Sequence, residues 1–228
     1  MLPELDEAIV KERIARRIAL EFRDGDVVNL GIGIPTLVSE YIPEGIDVIF
    51  QAENGALRIG PAPAVPDLKC IGAGGRILSL LPGGSFMASD TSFGLIRGGH
   101  VDATVLGALE VDRSGNIANW MVPGKSVPGM GGAMDLVVGA KKVYVAMTHV
   151  TKKGESKILD KCTLPLTALG VVTMIFTEFA VFSVDVKNGG LTLLEIAPEV
   201  TLQQMREHTG AKFEAVDPLP FIKGMEAA

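Results

Sequence analysis

The sequence predicts an α/β fold: an open, mixed, largely parallel sheet flanked by helices. Two observations carry this. Through the first hundred residues, short buried-strand runs alternate with short helical patterns, the order that gives parallel pairing. Beyond residue 100 the runs fall at hairpin-like spacing, so antiparallel strands are expected to join the sheet. A third observation sets the scale. The 228 residues are 47% hydrophobic and 21% charged, enough to bury a sizeable core. No internal repeat or clear linker interrupts the pattern, so 1–228 reads as one domain.

Residues 4–23 read as an amphipathic helix, with Ile14, Ile18 and Phe22 at i, i+4 and i+8, and Val10 and Ala15 widening the stripe. Lys11, Arg13, Arg16 and Arg17 are expected on the opposite face. Asp24-Gly25-Asp26 ends the helix, and Val27–Leu30 reads as a buried strand. Gly31-Ile32-Gly33 then leads into a helix with Pro35 in its first turn. Ile46–Phe50 reads as the second strand. Residues 56–76 read as an irregular loop, because Pro61, Pro63 and Pro66 forbid a regular helix or central strand. A short strand over Ile77–Leu80 and a helix over Ser85–Ile96 follow, the helix capped by Ser85 or by Ser89-Asp90. Val101–Leu106 and Ala108–Val111 read as buried strands, with a turn over Asp112–Asn116. A second glycine-rich loop, 122–132, runs into a short helix over Ala133–Ala140. Val143–Met147, Val171–Phe176, Ala180–Val186 and Leu191–Ile196 complete the strands, and a last helix covers 201–208. The tail from Asp217 is expected to lie on the surface or against a partner.

Composition excludes several functions. The net charge is −6 with no basic block, whereas nucleic acid needs a concentrated cationic face. Cys70 and Cys162 stand apart, outside any zinc or redox spacing, and read as reduced thiols of a cytoplasmic protein. His100, His149 and His208 are scattered, so no metal is expected. Acids come early at the N-terminus without a following apolar core, so no signal peptide is expected. No window approaches about 18 uncharged apolar residues, so no membrane span is expected either.

The stretch Gln51-Ala52-Glu53-Asn54-Gly55 is the candidate for chemistry. Asn54-Gly55 signals a tight turn, which places Glu53 at a strand end on the turn's shoulder. A carboxylate there is held by a rigid element yet can project into a cleft. The same five residues also fit a plain hairpin tip. Gly31 and Gly33, between a strand and a helix, suit an anion. A dinucleotide site is the sharp version of that reading, with Glu53 twenty positions after Gly33 as its acid. Thr36, however, stands where the fingerprint wants Gly or Ala. The glycines of 122–132 fit either a flexible connector or a loop aiming N–H groups at an oxyanion.

Together these stretches resemble the β chain of the class I CoA-transferases. The residues that carry the likeness are Gly31-Ile32-Gly33-Ile34-Pro35, Glu53-Asn54-Gly55 with Gly60-Pro61, and Gly129–Leu136. Ser92–Asp102 and Asn119–Lys125 add to it, so that it runs from about residue 8 to 210. Five motifs in the right order are specific where each alone is weak. The resemblance implies an open α/β fold shared with sugar-phosphate isomerases, and Glu53 as nucleophile. It implies CoA exchange between an acyl-CoA and a small carboxylic acid, such as acetoacetate with acetate, butyrate or succinate. The coenzyme A thioester is then a substrate, with no tightly bound cofactor. A separate α subunit is expected as partner in an α2β2 assembly, or else a homo-oligomer. Asn54, Gly55, Gly31, Gly33 and Arg58 are expected to support the site. Two positions depart from the family pattern: Ala52 replaces a serine, and Arg58 a glycine. Arg58 is placed either to pair with a substrate acid or to crowd it.

The chemistry suits these residues. A carboxylate of ordinary pKa, about 4.3, needs no base at pH 7, and a thiolate of pKa about 8.5 leaves readily. Carboxylate attack on a thioester gives an anhydride, and the thiolate returns to give a glutamyl thioester, the pattern of ping-pong exchange. The oxyanion needs fixed donors, each worth roughly 3–4 kcal/mol. The backbone N–H groups of Gly131, Gly132 and Ala133 are the candidates. A non-catalytic dinucleotide-binding or sensor domain, and a sugar-phosphate isomerase, are the competing readings.

Overall fold

The structure, a computed structural model, describes residues 1–125, 127 and 129–225. Ser126 and Pro128 of the second glycine-rich loop lie outside the described residues. Helix α1 (Glu7–Ala19) starts where the Asp6 carboxylate accepts the Ala8 N–H, a side-chain cap on a free donor. Its spaced apolar residues Val10, Ile14 and Ile18 are buried. Strand β1 (Val27–Leu30) follows the Asp24–Asp26 turn, and a single helical turn, α2 (Ile34–Leu37), follows Gly33. Strand β2 (Ile49–Ala52) begins three residues later than the sequence predicts. The Pro43 carbonyl takes the Ile46 N–H and the Asp24 carboxylate takes the Asp47 N–H, so both are engaged before the strand begins.

The predicted loop at 56–76 starts later as well. The Asn54-Gly55 turn folds the chain straight back, and β3 (Ala56–Ile59) pairs antiparallel with β2 before the first proline arrives. Strand β4 (Leu80–Phe86) pairs with β3 and claims Ser85, which the sequence assigns to a helix. Ile77, predicted in a strand, makes only an isolated bridge to Ile71. Helix α3 (Ser89–Arg97) therefore starts at Ser89, behind Ala88 and without a side-chain cap. Then come β5 (Ala103–Leu106), β6 (Glu110–Asp112), β7 (Ile117–Ala118), α4 (Ala133–Gly139) and β8 (Lys142–Ala146). Next are β9 (Ile158–Leu159), β10 (Met174–Phe176), and the antiparallel pair β11 (Ala180–Asp185) and β12 (Gly190–Ile196). Helix α5 (Leu202–His208), closed by a Thr201–Gln204 capping box, and β13 (Glu214–Ala215) end the series. The two-residue strands β7, β9 and β13 carry too little pattern to be read from sequence.

Among the described residues the main sheet runs β13-β12-β11-β10-β8-β5-β1-β2-β3-β4. Its middle, β10-β8-β5-β1-β2, is parallel. Antiparallel strands extend it on both sides, not only after residue 100 as predicted. The chain leaves β1 for β2 on one side and returns to β5 on the other. Open α/β sheets place ligands at the carboxyl edge beside such a switch. Val28 joins the cluster that includes α1, while α3 and α4 pack together over Val101 on the opposite face. A β7-β6-β9 sheet stands apart from the main one.

One charge predicted at the surface is buried. Arg17 is 3% exposed and forks onto Glu195 of β12, with Nε and Nη2 donating at 2.6 and 2.7 Å. A third bond from Arg17 reaches Glu21 at 2.7 Å. These carboxylates keep its guanidinium charged despite burial. Arg13 pairs with Glu199 from the same helix. Removing one member of a buried pair leaves the other charge uncompensated. Arg17→Ala is therefore expected to lower unfolding free energy by about 3–5 kcal/mol, read by urea denaturation.

His149, just after β8, is fully buried between Thr177 Oγ1 at 3.2 Å and Thr209 Oγ1 at 3.0 Å. Burial holds its pKa down to about 3. The folded ring stays neutral while the unfolded ring protonates below about 6.5. The unfolded state thus binds more protons between those values, and stability falls as pH drops through that window. The slope from this residue is at most about 1.4 kcal/mol per pH unit. Urea denaturation from pH 7 to 4 should show it, flattened in His149→Gln.

Candidate active site

Parallel pairing sets the site's frame. Val27, Val28 and Asn29 face Ile49, Phe50 and Gln51, so β1 and β2 end together. Gly31 and Glu53 each lie one residue past their strand, at the same edge. Glu53 is half-buried there, on the turn that leads into β3. The Gly55 N–H closes that turn onto the Ala52 carbonyl at 3.0 Å. Gly55 sits at φ 120°, and a Cβ on it would lie 2.1 Å from the Met87 carbonyl oxygen. Only glycine satisfies both conditions. Asn54 donates from Nδ2 to the Ile71 carbonyl at 2.7 Å, tying the turn to the proline-rich segment.

Helix α4 precedes a parallel strand, so its first residues return to this same edge. A Cβ on Gly132 would stand 3.0 Å from Glu53 Cγ and 3.4 Å from Phe93 Cζ. The second glycine-rich loop and the candidate carboxylate are thus in contact. The three backbone donors are not equivalent, however. The Ala133 N–H is given to the Met130 carbonyl at 3.0 Å, which leaves Gly131 and Gly132 as the loop's candidates. Gly131 has φ 50°, while Gly132, at φ −80°, is needed for space.

Gly31 fills a tight place, donating to the Val105 carbonyl at 2.8 Å, where a Cβ would stand 3.0 Å from that oxygen. Gly33 turns the chain at φ 90°, and the Thr36 hydroxyl closes back onto the Gly31 carbonyl at 2.9 Å. This first glycine turn packs the edge together. Arg58 is engaged elsewhere: its guanidinium donates to Asp47 at 2.7 Å. Its φ of 64° explains the glycine in the pattern the sequence resembles, since a side chain is strained there.

Beneath Glu53 lie three polar residues that the sequence does not single out. Asn29 on β1, Gln51 on β2 and Ser92 on α3 are 1%, 3% and 0% exposed. Gln51 and Glu53 project to one face because strand side chains alternate. Asn29 Nδ2 donates to Gln51 Oε1 at 2.8 Å and reaches Glu53 Oε2 at 3.4 Å. Gln51 Nε2 donates to Ser92 Oγ at 2.8 Å. One usable signal exists: Asn29 interrupts an otherwise apolar buried strand.

The surroundings of neither cysteine favour the thiolate. Burial pushes the Cys162 thiol up to about 12, and burial and Asp67 raise that of Cys70. Among the described residues no cluster of His, Cys, Asp and Glu could hold a metal, and no helix is long and apolar enough to cross a membrane. Two surface cavities, of about 440 and 280 Å³, line α1 and the N-terminal residues, away from Glu53.

Residues 11–208 match the family described as Coenzyme A transferase, and the chain belongs to it. It is 54% identical over 215 residues to the beta chain of the acetate CoA-transferase of Escherichia coli (strain K12), covering 94% of this chain and 98% of that one. It is 48% identical over 207 residues to the B-type chain of the succinyl-CoA:3-ketoacid coenzyme A transferase of Helicobacter pylori (strain ATCC 700392 / 26695), covering 90% and 99%. Among solved structures it is similar to the acyl-CoA transferase YdiF apoenzyme from Escherichia coli O157:H7, with a TM-score of 0.74 and 25% identity. That match takes in 97% of this chain but spans only 45% of the YdiF chain. The family that the sequence resembles is thus the family to which the chain belongs.

Gly132→Val drives a branched side chain into Glu53 Cγ without asking for an unusual φ. The variant is expected to fold with a Tm near that of the parent and to lose about a hundredfold in kcat for CoA exchange. A raised KM with unchanged kcat would show that the loop only binds ligand.

Proposed function

We propose that this chain is the catalytic β-type chain of a CoA-transferase, with Glu53 as the nucleophile. The substrates are an acyl-CoA and a short-chain or 3-oxo acid, for example acetoacetate with acetate, butyrate or succinate. The partner is a second chain of related fold, since both bacterial relatives are named as one subunit of a larger enzyme. The observation that carries this reading is the placement of Glu53: strand-anchored, at the carboxyl edge of the parallel sheet, with Gly132 against its Cγ.

The steps follow from that placement. A Glu53 oxygen bonds to the thioester carbon, the C–S bond breaks, and CoA thiolate leaves. The product is an anhydride between Glu53 and the acyl group. The thiolate then attacks the glutamyl carbonyl, the anhydride C–O bond breaks, and the first acid departs as its carboxylate. A second acid reverses both steps on the glutamyl-CoA thioester. The oxyanions draw on the N–H groups of Gly131 and Gly132, while Gly31, Gly33, Asn54 and Gly55 hold the edge. Arg58 supports the turn region through Asp47 and leaves the substrate acid to other groups. Both intermediates hydrolyse, so the edge must be covered during turnover. The partner chain and the proline-rich segment tied to Asn54 are the covers.

The test is direct. The assembled two-chain enzyme, given acetoacetyl-CoA and no acceptor acid, should gain one CoA per β chain by intact mass. Peptide mapping should place it on 46–58, and acetate or succinate should remove it. Glu53→Ala should show no adduct and less than about a thousandth of parent turnover, with the fold intact by circular dichroism. An adduct on Cys70 or Cys162, or turnover above about a tenth in Glu53→Ala, would overturn the assignment.

A further inference from the structure

We propose that Ser92 and Gln51 are positioning residues that orient the Asn29 amide, and that Asn29 holds Glu53 Oε2 so that Oε1 is the oxygen presented to the acyl group. This rests on Glu53 being the nucleophile. It concerns how that carboxylate is aimed.

Each link fixes the polarity of the next. Ser92 Oγ donates to the Ala52 carbonyl at 3.3 Å, so its lone pair is free to accept Gln51 Nε2 at 2.8 Å. With its nitrogen toward Ser92, Gln51 must turn Oε1 toward Asn29, where it accepts Nδ2 at 2.8 Å. Asn29 Nδ2 meets three acceptors: Gln51 Oε1, the Gln51 carbonyl at 3.1 Å and Glu53 Oε2 at 3.4 Å. An amide nitrogen has two protons. One goes to Gln51 Oε1, and the other is shared between the backbone carbonyl and the carboxylate.

The reverse arrangement is excluded by charge. Flipping Asn29 would set Oδ1 against the Gln51 carbonyl and the Glu53 carboxylate, with no proton between them. Asn29 Oδ1 instead lies buried with no partner. An unsatisfied buried acceptor costs about 1–3 kcal/mol, so the orientation is retained against a penalty. All three residues are almost completely buried, so water does not take over these bonds. On the other side of Glu53, Gly132 stands close to Cγ. The carboxylate is thus confined between a glycine and an oriented N–H donor, and its Oε2 faces the protein.

In the chemistry, the Oε1 lone pair forms the bond to the thioester carbon and the thiolate departs. Oε2 becomes the carbonyl oxygen of the glutamyl half of the anhydride and keeps the Asn29 donor. Ser92 and Gln51 touch no reacting atom, so their effect passes entirely through Asn29.

A double-mutant cycle tests this on the assembled two-chain enzyme, through the single-turnover rate of the Glu53–CoA adduct from acetoacetyl-CoA, by quenched intact mass. Asn29→Leu should slow adduct formation by roughly ten- to a hundredfold. KM for acetoacetyl-CoA should stay within about twofold, because binding is not what is lost. Ser92→Ala should slow it several-fold alone and add nothing in the Asn29→Leu background. Should Asn29→Leu fail to fold, Gln51→Leu and Ser92→Ala form an equivalent cycle, in which the double variant matches the slower single one. Multiplying penalties, or a parent-like rate in Asn29→Leu, would overturn the relay while leaving the nucleophile in place. A parent enzyme that turns over without any adduct would overturn the glutamyl reading and this proposal with it.

Discussion

The parallel pairing of β1 with β2, in the register Asn29 opposite Gln51, is the constraint on which the rest of the site depends. It ends both strands at one edge and puts Gly31 and Glu53 one residue past that edge. It also sets two amide side chains against each other beneath the carboxylate. A shift of one residue would turn every β2 side chain to the other face. Glu53 would then face α1 rather than α4, and Gln51 would lose Ser92. The apolar neighbours oppose such a slip: Val28 is buried on the α1 face, and Ala52 is buried beside β3.

The hairpin beyond β2 acts as the stop for that register. Gly55 lies under the Met87 carbonyl, and the Met87 N–H returns to the Gly55 carbonyl at 2.9 Å. The Glu53 turn is therefore closed by its own backbone and pressed by the chain just past β4. A carboxylate in such a turn loses little further entropy on reacting, because its backbone is already fixed. Asn54 adds a tether outward, from the turn to Ile71 of the proline-rich segment.

Much of this is legible in the sequence, and the failures have physical causes. Strands β1, β11 and β12 fall nearly where the sequence predicts them, since apolar β-branched runs bounded by Gly and Asp leave few alternatives. Glu53 and its turn are legible because Asn-Gly is a strong local signal. Strand β3 escapes because the later prolines colour the whole of 56–76, although none of them falls in 56–59. Arg17 is misplaced because helical spacing cannot reveal a glutamate 178 residues away on β12. Of the Asn29–Gln51–Ser92 set only Asn29 leaves a signal, as the polar residue in an apolar strand. Gln51 and Ser92 are ordinary alone, and only the sheet and α3 bring the three together.

Where the buried polar groups sit says how stability and chemistry are divided. Arg17 and Glu195 are well satisfied, with three short bonds on the guanidinium, and they clamp α1 to β12 far from Glu53. Asn29 is under-satisfied: one oxygen without a partner, one proton shared between two acceptors. A site built for stability alone would replace Asn29 and Gln51 by apolar residues of similar volume, because a partly satisfied polar network is worse than none. Retaining them is reasonable only if the donor does something an apolar side chain cannot. Among the described residues, the Asn29 amide reaches one acceptor beyond β1 and β2, Glu53 Oε2. The longest bond of the set is thus the one aimed at the reacting group, from Asn29 Nδ2 to Glu53 Oε2 at 3.4 Å.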